Sequence, residues 1–243
     1  MVRNYVIVTA SYWGFTLVDG ALRMLVLLHF FRLGYTPFTL AFLFLLYEMA
    51  GIGANLGGGW LASRFGIPRM LAVGQALQIA GLAMLSMLEP GWTAAASVAW
   101  VTAAQGIAGV AKDLTKTASK SAIKATSAEG AGQLFMWVAW FTGSKNAMKG
   151  LGFFLGGLLL ESAGFRGALW LMAGLLAVIF VGQGIAALQE AGTIDTYALD
   201  FPTIPMLGIH PTWQSLLAQL CTLTIVVFGF VYGYLASQRK RPG

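Results

Sequence analysis

Charge is what this sequence has least of. Of its 243 residues, 10% are Asp, Glu, Lys or Arg, against roughly a quarter in a soluble domain. Hydrophobic residues make up 58% and mean hydropathy is +0.74, which excludes an ordinary water-soluble domain. Cysteine is nearly absent too. Cys221 stands alone, so neither an internal disulfide framework nor a thiolate metal cluster can form. The two histidines, His29 and His210, lie far from any second ligand in sequence and are read as interfacial and loop residues. No nucleophile, base and acid gather, and no metal triad, so an enzyme is not expected. A resident metal or cofactor and a nucleic-acid partner are not expected either. A cleavable signal peptide is not expected either. The first apolar block is longer than a signal core and is interrupted by Asp19 and Arg23.

What is present is a series of apolar blocks of about twenty residues, the length that crosses a bilayer as a helix. The fold class is therefore all-α, a polytopic membrane helical bundle with lipid as its first partner. Gly, Pro and charged breaks place the helices at about Tyr5–Phe31, Phe38–Leu61, Met70–Leu88, from Thr93 onward, Gln133–Leu160, Ala168–Leu188 and Trp213–Ala236. Residues 1–190 form a six-helix unit, 191–212 a polar loop, and 213–243 an extra helix with a basic tail. With the N-terminus inside, Arg3, Arg64, Arg69 and a lysine stretch are cytoplasmic, and only Arg32 and Arg166 lie outside. Six helices thus obey the positive-inside rule. A seventh crossing breaks it, because it carries "RKR" to the outer side.

The second helix bears "AGIGANLGGG" and the fifth bears Gly152 and Gly156. Small residues four apart let helix backbones approach closely, so packing is the expected role. "GIGANLG" lacks the spacing and the strand context of a dinucleotide fingerprint.

The most informative stretch is "KDLTKTASKSAIKATSAEG", whose Lys112, Lys116, Lys120 and Lys124 recur every four residues. That step drifts about 40° per repeat on a helix, so the four form one stripe. No Gly or Pro separates them from "AWVTAAQGIAGVA", and the fourth helix is expected to run on through them. The fifth helix answers with Lys145 and Lys149 one turn apart and Asn146 beside them. A charge at the centre of a membrane helix costs about 2.5–3.5 kcal/mol on insertion scales. These cations therefore need anions, a wet cavity, or both.

Intramembrane acids are few: Asp19, four residues before Arg23 and its expected partner, Glu48 and Asp113. One reading makes the stripe a cytosolic amphipathic loop on anionic headgroups. The other makes it the wall of a cationic cavity between helices one, four and five, built for a multiply charged anion. In that cavity Lys112, Lys116, Lys120, Lys145, Asn146, Lys149 and Arg23 hold the anion, with the hydroxyls of Thr115, Ser119 and Ser144 adding hydrogen bonds.

The connection "GWLASRFGIPR", with Gly59, Arg64, Gly66 and Arg69, resembles the loop motif of the major facilitator superfamily, with Ser63 where an acidic residue is usual. Longer blocks, "VRNYVIVTASYWGFTLVDGALRMLVLLHFFRLGY", "GIAGVAKDLTKTASKSAIK" and "TGSKNAMKGLGFFLGGLLLESAGFRGALWLMAGLLA", resemble the organoarsenical efflux permeases of that superfamily, the ArsJ type, over about residues 2–177. The resemblance implies efflux of 1-arseno-3-phosphoglycerate, which a partner glyceraldehyde-3-phosphate dehydrogenase makes from arsenate, and hence arsenic resistance. Outside, that ester falls apart and releases arsenate. It implies an antiporter in a bacterial inner membrane, with Asp19 or Glu48 as the proton-coupling carboxylate.

The superfamily has twelve helices in two halves, and this chain matches the first half, so transport is expected to need a homodimer or a second half. The segment "DFPTIPMLGIHPTWQSLLAQL" is similar to the end of oxidase-dependent iron permeases, but their Arg-Glu-x-x-Glu ligand motif does not occur in the sequence. The alternatives to transport are a truncated or fused membrane protein that moves nothing and, less favoured, an iron permease fragment.

Overall fold

A computed structural model describes residues 2–126, 131–200, 202, 204 and 208–239, with side chains for 9, 12–122, 135–200, 202, 204 and 208–231. The helices are α1 (Val2–Arg32), α2 (Pro37–Leu43), α3 (Leu45–Phe65), α4 (Ile67–Ser86), α5 (Ala94–Thr126), α6 (Ala131–Glu190) and α7 (Trp213–Arg239). Six helical segments are long and apolar enough to cross a bilayer. The chain is an all-α polytopic membrane bundle, and the sequence-derived fold class holds.

Two boundaries differ from the sequence reading and a third agrees with it. The second span is interrupted at Phe44, the C-cap of α2 and N-cap of α3, and it continues past Leu61 to Phe65. The expected fifth and sixth helices join in α6, whose 60 residues would extend about 90 Å if straight, three times the hydrocarbon thickness. Gly164 breaks it with φ 69° and ψ 176°. Beyond it Phe165 stacks on His29, while Met172 and Leu176 share one core with Leu25 and Leu82, so the chain has turned back into the bundle. Finally, α5 does run unbroken through Lys112, Lys116 and Lys120 to Thr126. These three lysines therefore lie on a helix and not in a loop. Lys124 lies on α5 as well, but its side chain falls outside the described set.

One end of the bundle, called here the Gly34 end, carries residues 33–36, 87–93 and Gly164. The other, the Gly66 end, carries the junction of α3 and α4. Gly66 itself has φ +82°, a conformation that an L side chain adopts only under strain, and Pro68 follows within the first turn of α4. Gly59 and Arg64 of the loop motif belong to α3 rather than to a loop, and Arg69 to α4. Arg64 lies over the ring of Trp60 at 5.3 Å.

Glycines bring the helices together, as the small-residue pattern suggests. A Cβ on Gly152 or Gly156 would meet backbone oxygens of Leu17 or Ala21, so α1 and the first half of α6 lie backbone to backbone. They run parallel, since Tyr12 stacks on Phe141 at 4.9 Å and Trp13 Nε1 donates to Ser144 Oγ at 2.9 Å. At their far ends Arg32 is ion-paired with Glu161. Likewise α3 and α5 run parallel through Gly51, Gly58 and Gly109, the last seated against the carbonyl of Tyr47. α4 meets α5 through Gly74 and Gly81 in the antiparallel sense. Outward-facing Ile52, Leu56 and Trp60 of α3 have the apolar character that lipid demands of an exposed surface.

After the second half of α6, the described residues of 191–212 include the isolated bridges Ala198 with Thr212 and Ile204 with Ile209. α7 then runs back antiparallel. Gln219 Nε2 donates to the carbonyls of Val178 and Gly208, each at 3.1 Å, and Gly174 and Gly167 lie against Val226 and Phe230.

Candidate cationic site

The charged residues gather on one face formed by α1, α3, α5 and the first half of α6. The register of these helices decides who meets whom. Glu48, in the first turn of α3, bridges two cations from different helices: Arg23 Nη2 at 2.7 Å from Oε1 and Lys112 Nζ at 3.3 Å from Oε2. Arg23 is therefore not partnered with Asp19, as the four-residue spacing suggests; α3 supplies a better-placed carboxylate. Asp19 is 4% exposed and accepts instead from the phenol of Tyr47 at 2.7 Å.

Tyr47 is the residue that sequence reasoning missed. It is buried, its hydroxyl holds Asp19, and its ring faces the Arg23 guanidinium at 4.6 Å and Lys112 Nζ at 4.3 Å. Both distances suit a cation–π contact, so one side chain ties an acid and two cations to α3. The only trace of this in the sequence is its place beside Glu48.

Next to Lys112 on α5, buried Asp113 sits against Gly51, one turn beyond Tyr47 on α3, where a Cβ would meet its carboxylate. It accepts from Lys116 at 3.0 Å and pairs with Lys112 at 3.3 Å. Lys116, Lys120, Lys149 and Lys112 all act electrostatically on Lys145, while Arg23, Asp19, Lys112 and Glu48 act on Lys149. Lys149 Nζ also lies 5.7 Å from the Phe153 ring centre. The face thus holds Arg23, Lys112, Lys116, Lys120, Lys145 and Lys149 against Asp19, Glu48 and Asp113. Cations outnumber carboxylates, and the surplus grows toward the end of α5.

Some expected members stand elsewhere. Asn146 is exposed on the neighbouring side of α6. Thr115 faces Gly74 of α4, and Ser144 is engaged by Trp13 and donates to the Phe141 carbonyl, so neither extends the cationic face. Ser119 is buried with its hydroxyl unpartnered. The sequence suggested a cationic cavity between helices one, four and five. The site is a half-exposed face, with Lys112 19% and Glu48 53% exposed at the side chain. A cavity of about 530 Å³ opens beside Arg23 and Glu48, walled by Leu27, Phe44, Leu45 and Phe153.

A larger cavity of about 990 Å³ lies at the Gly34 end among His29, Phe30, Tyr35, Trp92, Phe165 and Arg166, where Arg166 donates to the Leu88 carbonyl at 3.0 Å. Among the described residues, no three His, Cys, Asp or Glu side chains come together as a metal site.

No protein-family model, characterised protein or solved structure matches this chain.

Proposed function

We propose that the chain is a secondary membrane transporter, or one half of one, that exports an anionic phosphorylated or arsenylated metabolite such as 1-arseno-3-phosphoglycerate. The observation that carries this reading is the surplus of cations on one intramembrane face, fed by lysines one turn apart on two helices. A fixed surplus of this kind is costly in a bilayer unless an anion uses it, and compact ammonium groups suit oxyanions that carry several charges. The sequence likeness to organoarsenical efflux permeases points to the same substrate chemistry. The positive-inside distribution puts the N-terminus and the Gly66 end in the cytoplasm, in a bacterial inner membrane. Anions then meet Lys120 and Lys116 first and reach Lys112, Lys149 and Arg23 deeper in. Asp19 and Glu48 are the carboxylates available for proton antiport. Because the cationic face is open on one side, a second half or a second copy would complete the enclosure.

The test is accumulation of arsenic in everted membrane vesicles containing this chain, with glyceraldehyde-3-phosphate dehydrogenase, its substrates and arsenate outside. Accumulation above vesicles lacking the chain supports the proposal. Lys145→Ala or Lys149→Ala should abolish it while leaving insertion intact. A second reading, a membrane protein that transports nothing, is favoured by the ion pairs that already occupy Arg23, Lys112 and Lys116. Absence of accumulation by correctly inserted protein would select it.

A further inference from the structure

Three features of Glu48 belong together. Its carboxylate spans two cations on separate helices, one oxygen to each. These two cations also lie over the ring of Tyr47, at 4.6 Å and 4.3 Å from its centre, so a buried side chain helps to seat both. Glu48 itself is the exposed partner, at 53% against 27% for Arg23 and 19% for Lys112, and it borders the cavity of about 530 Å³.

A carboxylate presents two oxygens to Arg and Lys much as a phosphate or arsenate group does. A long, half-exposed side chain can rotate away more readily than two cations that are more buried and lie against a ring. Arg23 keeps a further buried donor, Nε, with no protein partner, so the guanidinium has capacity that Glu48 does not use.

We propose that Arg23 and Lys112 are the oxyanion seat of this face, and that Glu48 is a resident counter-ion that competes with the phosphate- or arsenate-bearing ligand for it. The inference rests on the reading that the face takes an anion, and it adds which cations hold the charged group and what the group must displace. Glu48 lowers affinity and in exchange spares the bilayer an unpaired Arg23, Lys112 having Asp113 as a second partner, and it gives the anion a way to leave. Asp113 does not share the role, because it is buried under Gly51 and pairs with lysines of its own helix. Asp19 does not either, because Tyr47 holds it.

Competition has a signature that structural pairing lacks: removing the carboxylate strengthens ligand binding. The full chain in lipid nanodiscs would be titrated with inorganic pyrophosphate by calorimetry. Glu48→Gln, which keeps the shape and removes the charge, should tighten binding about tenfold or more, the equivalent of one freed charge-assisted contact. Glu48→Asp keeps the charge but falls short of spanning both cations, so it should tighten binding by a smaller factor. Arg23→Gln should lose binding altogether.

Unchanged or weaker binding in both Glu48 variants would overturn the proposal, and so would an Arg23→Gln variant that binds like the parent. No binding by any form up to about 10 mM, the range where the weakest specific anion sites lie, would overturn it as well. If pyrophosphate binding tightens as expected while vesicles accumulate no arsenic, the seat stands and the transport reading falls. If vesicles accumulate arsenic but Glu48→Gln binds no better, transport stands and the competing counter-ion is wrong.

Discussion

A single phenol determines how the acids and bases of this bundle are shared. With its hydroxyl on Asp19 and its ring against Arg23 and Lys112, Tyr47 contacts three charged groups without being charged itself. Tyr47→Phe keeps the ring and strips the hydrogen bond from a buried carboxylate, which should cost about 1–3 kcal/mol, read as a lowered unfolding midpoint in detergent. Tyr47→Leu also removes the cation–π contacts, and its midpoint should fall further. Equal midpoints for the two variants would mean that the ring faces do nothing for the cations. Sequence reasoning could count the charges and see that they needed partners, but it paired Asp19 with Arg23 because four-residue spacing is all that one helix reveals. Which side chain of α3 arrives between them depends on how two distant helices are set against each other. That register is not written in either helix alone.

At the scale of elements, the glycine pattern was legible and its consequences can be weighed. Gly109 has no room: a Cβ would press on the backbone of Tyr47, which cannot move aside cheaply. Gly109→Ala should destabilise by about 1–3 kcal/mol through overpacking. Gly53, with nothing within 4 Å of its would-be Cβ, is the control, and Gly53→Ala should be neutral or stabilising by up to about 1 kcal/mol. Thermal unfolding of the two variants side by side decides it. A harmless Gly109→Ala would mean that α3 and α5 do not approach as described. The extension of α5 through its lysines was legible for the same kind of reason, since no helix breaker stood in the way. The break at Phe44 was not, because neither Gly nor Pro marks it and the residue keeps φ −97° and ψ −6°, close to helical values. A break between Leu160 and Ala168 was expected, and the structure supplies it with the positive φ of Gly164.

The whole molecule makes a prediction about sidedness. α7 lies antiparallel to the second half of α6, with Phe230 beside Gly167, so it returns to the Gly34 end. In a Cys221→Ser background, Ser63→Cys and Gly91→Cys should react with a membrane-impermeant maleimide from opposite sides. A reporter fused after residue 243 should share the side of Gly91. Labelling of that reporter from the Ser63 side would show that α7 does not cross, and the positive-inside conflict at the tail would disappear with it.

The one-sided arrangement of the cations also bears on energetics. Their surplus runs from the middle of the bundle toward the end of α5, and few carboxylates oppose it. In the orientation proposed above, with the Gly66 end on the electrically negative side, each elementary charge that crosses the membrane exchanges about 2.3 kcal/mol per 100 mV. A trivalent anion leaving the cytoplasm would thus descend by about 7 kcal/mol per 100 mV, so the voltage itself becomes a motive force beside any proton. A lysine-lined face that gathers such an anion on the negative side then has only to hold it against the field long enough to release it across the membrane.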